Sequence, residues 1–230
     1  MDRYLITGAS RGIGRAIAVA LANKNSEILI HGRDKKALDK TAQLVEKKDG
    51  KATKIISDLS NTEGIDHIVN EIGTKSIKAL INNAGITLVK PFEEITLEEW
   101  NNILFINVTA SFLLIQKLLP LLSKGTSILN ILSTAARKGY TEWSAYCMSK
   151  YAMEGFTQCI RGELQPKGIR VINIYPGGTQ TEIWKDVPGE WDFDSMLKPS
   201  VVADAVKFAL DSPSDVLIDN LTIQNTAGDQ

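Results

Sequence analysis

The chain has 230 residues, 43% of them apolar, and carries 26 Lys and Arg against 27 Asp and Glu for a formal net charge of -1. That length and apolar content suit a single α/β unit, spanning 1–230, with a large buried core. Balanced charge leaves no general basic field for nucleic acid or an anionic membrane, and no apolar run reads as long enough to span a bilayer.

Short apolar, β-branched runs alternate with helix-like stretches along the whole chain. The first strand reads RYLIT (3–7) and begins at Arg3, which leaves no room for a signal peptide. EILIH (27–31), ATKII (52–56), KALIN (78–82), SILNIL (127–132), RVINIY (170–175) and VLIDNLTIQ (216–224) follow. Helical patterns fall at about 12–23, 34–48, 62–73, 97–122, 144–164 and 200–210, the fourth as one long helix. Alternating β and α with continuous apolar strands predicts a doubly wound parallel sheet, a Rossmann fold, with helices on both faces. Ligands of such sheets sit beyond the carboxyl ends of the strands. Cys147 and Cys159 lack metal-type spacing, and one helix would hold them more than three turns apart. They read as reduced thiols, which points to the cytoplasm.

TGASRGIG (7–14) joins the first strand to the first helix. Gly8, Gly12 and Gly14 suit a tight turn, close approach of a phosphate to the backbone, and helix packing against the strand. The amides and dipole at the helix start favour an anion. The plain alternative is a turn that needs glycine only for its own shape. In YCMSK (146–150), Tyr146 and Lys150 stand four residues apart, on one face of the predicted helix. A lysine ammonium under a phenol favours the phenolate and lowers its pKa toward neutral, unless the spacing is accidental.

Taken in order, these motifs resemble the short-chain dehydrogenase/reductase family. TGASRGIG is similar to its nucleotide-binding turn, Asp58-Leu59 to its adenine contact, NNAG (82–85) to the end of its fourth strand, and PGGTQT (176–181) to its nicotinamide-side turn. The resemblance runs from residue 3 to about 210. It implies a catalytic tetrad of Asn107, Ser133, Tyr146 and Lys150. It also places Gly8, Ser10, Arg11, Gly12, Ile13, Gly14, Arg33, Asp58, Leu59, Asn83, Ala84, Gly85, Tyr146, Lys150, Pro176, Gly177, Gly178 and Thr181 around a nicotinamide dinucleotide. In this reading Ser133 holds a substrate carbonyl oxygen and Tyr146 exchanges the proton. Lys150 lowers the tyrosine pKa and holds the nicotinamide ribose, and Asn107 holds a water that links Lys150 to solvent. As a residue on its own, Asn107 reads as a polar group hydrogen-bonded across a helix interface, and Asn83 as a tie between strands.

The family's acid for the ribose 2′-OH is replaced here by Gly32, and Arg33 follows it; Arg33, aided by Arg11, suits a 2′-phosphate. NADP(H) is therefore expected. Asp34 reads as the N-cap of the next helix, but a shifted strand end would turn it toward ribose and favour NAD(H). His31 is assigned no chemistry. The stretch 179–198 carries Trp184, Trp191, Phe193 and Met196 and reads as a lid over an apolar substrate, or as a surface loop anchored by its aromatics. Lys138, Tyr140 and Trp143 are further pocket candidates. The activity implied is NADP-dependent oxidoreduction of a small apolar ketone, aldehyde or secondary alcohol, with no metal. Alternatives are an NAD-dependent alcohol dehydrogenase, an acyl-carrier-protein thioester reductase and a non-catalytic dinucleotide sensor. A homodimer or homotetramer through helices 97–122 and 144–164 is expected by the same resemblance.

Overall fold

The apolar runs pair into one parallel sheet. A computed structural model describes residues 1–213, 215–226 and 228; positions 214, 227, 229 and 230 of the expected 1–230 unit lie outside the described residues. Among the described residues the sheet has strands β1 (Asp2–Ile6), β2 (Ser26–Gly32), β3 (Lys51–Ile56), β4 (Ala79–Asn82), β5 (Ser127–Ile131), β6 (Arg170–Pro176) and β7 (Asn220–Ile223). Their order is β3-β2-β1-β4-β5-β6-β7, every neighbour parallel. The winding reverses between β1 and β4, which opens a crevice at their carboxyl ends.

Side chains alternate along the strands, so the central strands feed two cores. Ile6, Ile28, Ile30, Ile81, Leu129 and Ile172 face the side covered by α1 (Gly12–Leu21), α2 (Lys35–Glu46) and α7 (Pro199–Asp211). Leu5, Leu29, Leu80, Ile128 and Val171 face the side covered by α3 (Thr62–Ile72) and α5 (Ala110–Leu118). Burying each such side chain stabilises the fold by about 1.5–3 kcal/mol. Helix starts are fixed locally. Asp34 caps α2 by accepting from the Ala37 N–H at 3.1 Å, Asn61 caps α3 by accepting from Gly64 at 2.8 Å, and Thr96 with Glu99 forms a capping box on α4 (Leu97–Leu104).

The single long helix expected at 97–122 is interrupted. α4 passes into a π-turn, Phe105–Thr109, before α5 begins. The wider turn accommodates one extra residue and buries Asn107. The combined run Leu97–Leu121 holds an 18-residue window of mean hydropathy 1.7 and is long and apolar enough, by length and composition, to cross a membrane. This corrects the expectation that no run reaches that length. Here Ala110, Leu114, Ile115 and Leu118 pack on the sheet. On the outer side Phe112 meets Phe156 of α6 (Ser144–Leu164) edge-on, centroids 5.8 Å apart. The last strand is shorter than the expected 216–224, because Val216 and Leu217 lie exposed outside the ladder.

Candidate active site

A cavity of about 1050 Å³ lies along the carboxyl ends of the strands. The predicted site residues meet on its wall, with two exceptions: Gly14 and Asn107 stand behind it. Gly14 is a packing position rather than a contact. A Cβ there would lie 2.4 Å from the Gly8 carbonyl oxygen and 2.5 Å from Asn83 Nδ2. Gly8 has φ +66°, and a Cβ there would strike the Ala84 Cα at 2.9 Å. α1 starts at Gly12 with no side-chain cap and no acid in its first turn. Its first amides and positive dipole end are thus kept for an anion in the cleft. Asn83 donates to the Thr7 and Gly8 carbonyls at 2.9 and 3.2 Å, so it ties β4 to the glycine turn. Thr7 Oγ1 completes the tie by accepting from the Asn83 and Ala84 amides, each at 3.0 Å.

At one end of the cleft β2 finishes at Gly32 and exposes Arg33, whose Nη1 lies 3.5 Å from Asp58 Oδ2. Burial acts to raise the Asp58 carboxyl, but the Ser60 N–H at 3.0 Å and the Arg33 guanidinium hold it below the usual range. The Asp34 carboxylate is engaged as the α2 cap. His31, which the sequence left without a role, is buried between the two loops. Its Nδ1 accepts from the Gly8 N–H at 3.4 Å, which leaves Nε2–H to donate to the Ser57 carbonyl at 3.1 Å. Burial pushes His31 down to about 4, against the opposing pull of Ser57 and Asp58. The folded pKa is below the unfolded value, so the unfolded chain takes up this proton first as pH falls. Stability should therefore drop between about pH 6.5 and 4, by up to about 3 kcal/mol. Urea midpoints across that range should show the slope in the wild type and a shallower one in His31→Gln.

At the other end stand Ser133, Tyr146 and Lys150. Ser133 follows β5 and caps a short turn, Thr134–Ala136, by accepting from the Ala135 N–H at 3.1 Å. Burial pushes Tyr146 up to about 12, and a hydrogen bond from Ser133 works in the other direction. Lys150 Nζ sits 5.5 Å from the Tyr146 ring centroid and donates to the Ile131 carbonyl at 3.1 Å. Burial pushes this ammonium down to about 8. The expected lowering of the phenol toward neutral is thus not met in the protein alone: desolvation is the largest influence on it, and the opposing pull comes from Ser133. Both polar atoms of the Asn107 side chain have partners. Its Oδ1 accepts from the Ile86 N–H at 2.8 Å, and Nδ2 donates to the Ile86 carbonyl at 2.9 Å and to Ser149 Oγ at 3.0 Å. Ser149 in turn donates to the Tyr146 carbonyl at 2.7 Å. Asn107 therefore clamps the loop after β4 to the helix turn that carries Tyr146.

A buried asparagine ladder supports this floor. Asn82 donates to Asn130 at 2.9 Å, Asn130 to Asn173 at 3.1 Å, and Asn173 to Thr157 at 2.7 Å. Asn82, Asn130, Asn173 and Asn220 pair in register across β4 to β7. The recurring Asn in KALIN, SILN, RVIN and LIDN is the signal that could have revealed it. Segment 179–198 closes on itself through a Thr179–Leu197 bridge and presents Trp184 and Trp191 to the cavity. Tyr140 and Trp143 line the cavity as expected, whereas Lys138 lies over the Tyr140 ring outside its wall.

A family model described as short chain dehydrogenase matches residues 3–190. An oxidoreductase of Staphylococcus saprophyticus is 30% identical over 225 residues, covering 96% of this chain and 95% of that protein. The structure of an alcohol dehydrogenase from the archaeon Thermococcus sibiricus, complexed with 5-hydroxy-NADP, superposes with a TM-score of 0.90 at 26% identity, covering 98% and 97% of the two chains. That of an angucycline C-6 ketoreductase with bound NADP gives 0.85 at 26% identity, covering 96% and 93%.

Proposed function

This chain belongs to the short-chain dehydrogenase family, and from that premise we propose that it reduces a small uncharged ketone or aldehyde with NADPH, or oxidises the matching secondary alcohol, with Tyr146 as acid and base. The observation that carries the reading is the meeting of Ser133, Tyr146 and Lys150 at one end of a cleft whose other end presents Arg33. NADPH supplies the hydride. Ser133 orients the substrate oxygen with its hydroxyl, and Tyr146 delivers its phenolic proton to that oxygen as negative charge develops there. Lys150 keeps a cation beside the phenolate left behind, which favours it. Carbonyl carbon and oxygen gain hydride and proton respectively, giving the alcohol.

Three features support NADP(H) over NAD(H): Gly32 stands at the β2 end, Arg33 is exposed beside it, and the Asp34 carboxylate is spent on the α2 cap. Solved relatives that hold NADP or its 5-hydroxy analogue agree. Segment 179–198 acts as the substrate lid in this reading. Phe112 and Tyr151, exposed on α5 and α6, supply a face for a homodimer or homotetramer. The unpaired Cys147 and Cys159 suit the cytoplasm.

The test is a panel of ketones and aldehydes with NADPH and NADH, followed by loss of the reduced-nicotinamide absorbance. Consumption of NADPH by at least one carbonyl compound is expected; none consumed would overturn the reading. Arg33→Ala should weaken NADPH binding about 10–100-fold, the cost of one charge-assisted contact, and leave NADH binding little changed. Unaltered NADPH affinity would refute the 2′-phosphate assignment.

A further inference from the structure

The substrate end of the cleft is walled by a chain of aromatic rings that starts at Tyr146. Trp143 meets Tyr146 with centroids 5.5 Å apart, Trp184 meets Trp143 at 5.9 Å, and Trp191 meets Trp184 at 4.6 Å. The interplanar angles are 69°, 61° and 48°. Tilted contacts of this kind leave ring surface open, and all three tryptophans are half-buried and line the cavity. The indole N–H groups of the two lid tryptophans are already committed to the loop backbone. Trp184 donates to the Thr179 carbonyl at 2.8 Å and Trp191 to the Val187 carbonyl at 3.4 Å. What these two walls offer a ligand is therefore ring surface, without a donor. Trp184 also covers the turn after β6: a Cβ at Gly178 would lie 3.8 Å from its Cζ2. Ile86, Thr87 and Ile106 also line the cavity, none of them charged.

We propose that Trp143 and Trp184 are specificity-determining residues that select flat, uncharged ring ketones, aryl or ring-fused, over flexible aliphatic ones. The proposal rests on the carbonyl-reductase reading above and narrows its substrate class. A rigid planar ring presents its whole face to the indoles without loss of rotamer freedom, whereas an alkyl chain must be ordered to make the same contact. Reduction of the ring ketone follows the same balance, hydride to carbon and the Tyr146 proton to oxygen.

The experiment measures kcat/KM with NADPH for 1-tetralone and for 4-heptanone in the wild type, Trp143→Ala, Trp184→Leu and Trp184→Phe, with thermal melts to confirm folding. A wild-type ratio of at least about ten in favour of 1-tetralone is expected, as a contact of this size gives. That ratio should fall about tenfold in Trp143→Ala and Trp184→Leu and be largely kept in Trp184→Phe. Quenching of tryptophan fluorescence by 1-tetralone in NADP-loaded Tyr146→Phe gives binding without turnover, and the same substitutions should weaken it. Turnover of 4-heptanone at least equal to that of 1-tetralone would sink the specificity claim and leave the carbonyl-reductase reading standing. An unchanged ratio in Trp143→Ala and Trp184→Leu would do the same. Failure of both ketones together with the wider carbonyl panel would remove both.

Discussion

Tyr146→Phe is expected to lower kcat for carbonyl reduction by about 10²–10⁴-fold, the usual worth of a positioned proton donor, and to leave NADPH binding within a fewfold of wild type. The substitution removes one oxygen and keeps the ring that packs on Trp143, so the loss isolates the proton. Direction matters to its pH dependence. With its pKa pushed up to about 12, the phenol is protonated throughout the neutral range, which is the form reduction needs. Reduction should therefore show no loss between pH 6 and 9 on account of Tyr146. Alcohol oxidation needs the phenolate and should accelerate as pH rises. Stopped-flow traces of nicotinamide absorbance in both directions would check this; equal turnover by wild type and Tyr146→Phe would reject the mechanism.

The large features of this molecule were legible because each has a local cause. Continuous apolar runs such as EILIH and RVINIY became buried central strands, since only a sheet covered on both faces hides both sides of a strand. TGASRGIG sits between β1 and α1 because its glycines allow contacts a Cβ would block. Asp34 caps α2, as its position before KKALDK implies. Other features depend on distance in three dimensions and left no local mark. The π-turn at Asn107 is dictated by what the asparagine reaches, Ile86 and Ser149, far away in sequence. His31 reads as a strand residue until Gly8 and Ser57 are seen on either side of it. The upward shift of Tyr146 departs from the expectation because helical spacing shows which group stands nearby but not how deeply the phenol is buried, and burial is the largest influence on it.

Lys150→Met should separate the cost of this site from its use. Activity is expected to fall by about 10²–10⁴-fold, because the phenolate left after proton transfer loses its adjacent cation. Stability should move in a pH-dependent way. Burial holds Lys150 at about 8 in the folded chain against an ordinary 10.5. Since the folded pKa is the lower one, the unfolded chain retains the proton through the window from about pH 8 to 10.5 while the folded chain gives it up. The burial penalty is thus fully present below about pH 8 and fades as pH rises through that window; its full size is about 3 kcal/mol. Methionine carries no charge, so it escapes the penalty, but it leaves the Ile131 carbonyl without its donor, a loss of about 1–3 kcal/mol. At pH 7 the two terms oppose each other and the variant should be close to wild type in stability. At pH 10 the penalty in the wild type has largely gone, the missing hydrogen bond has not, and the variant should be the less stable protein. Urea unfolding midpoints at pH 7, 8.5 and 10 decide it. A stability difference that does not change with pH would mean that the ammonium carries no desolvation cost in the fold, and that its charge is not held in the low-dielectric setting from which it can act on Tyr146.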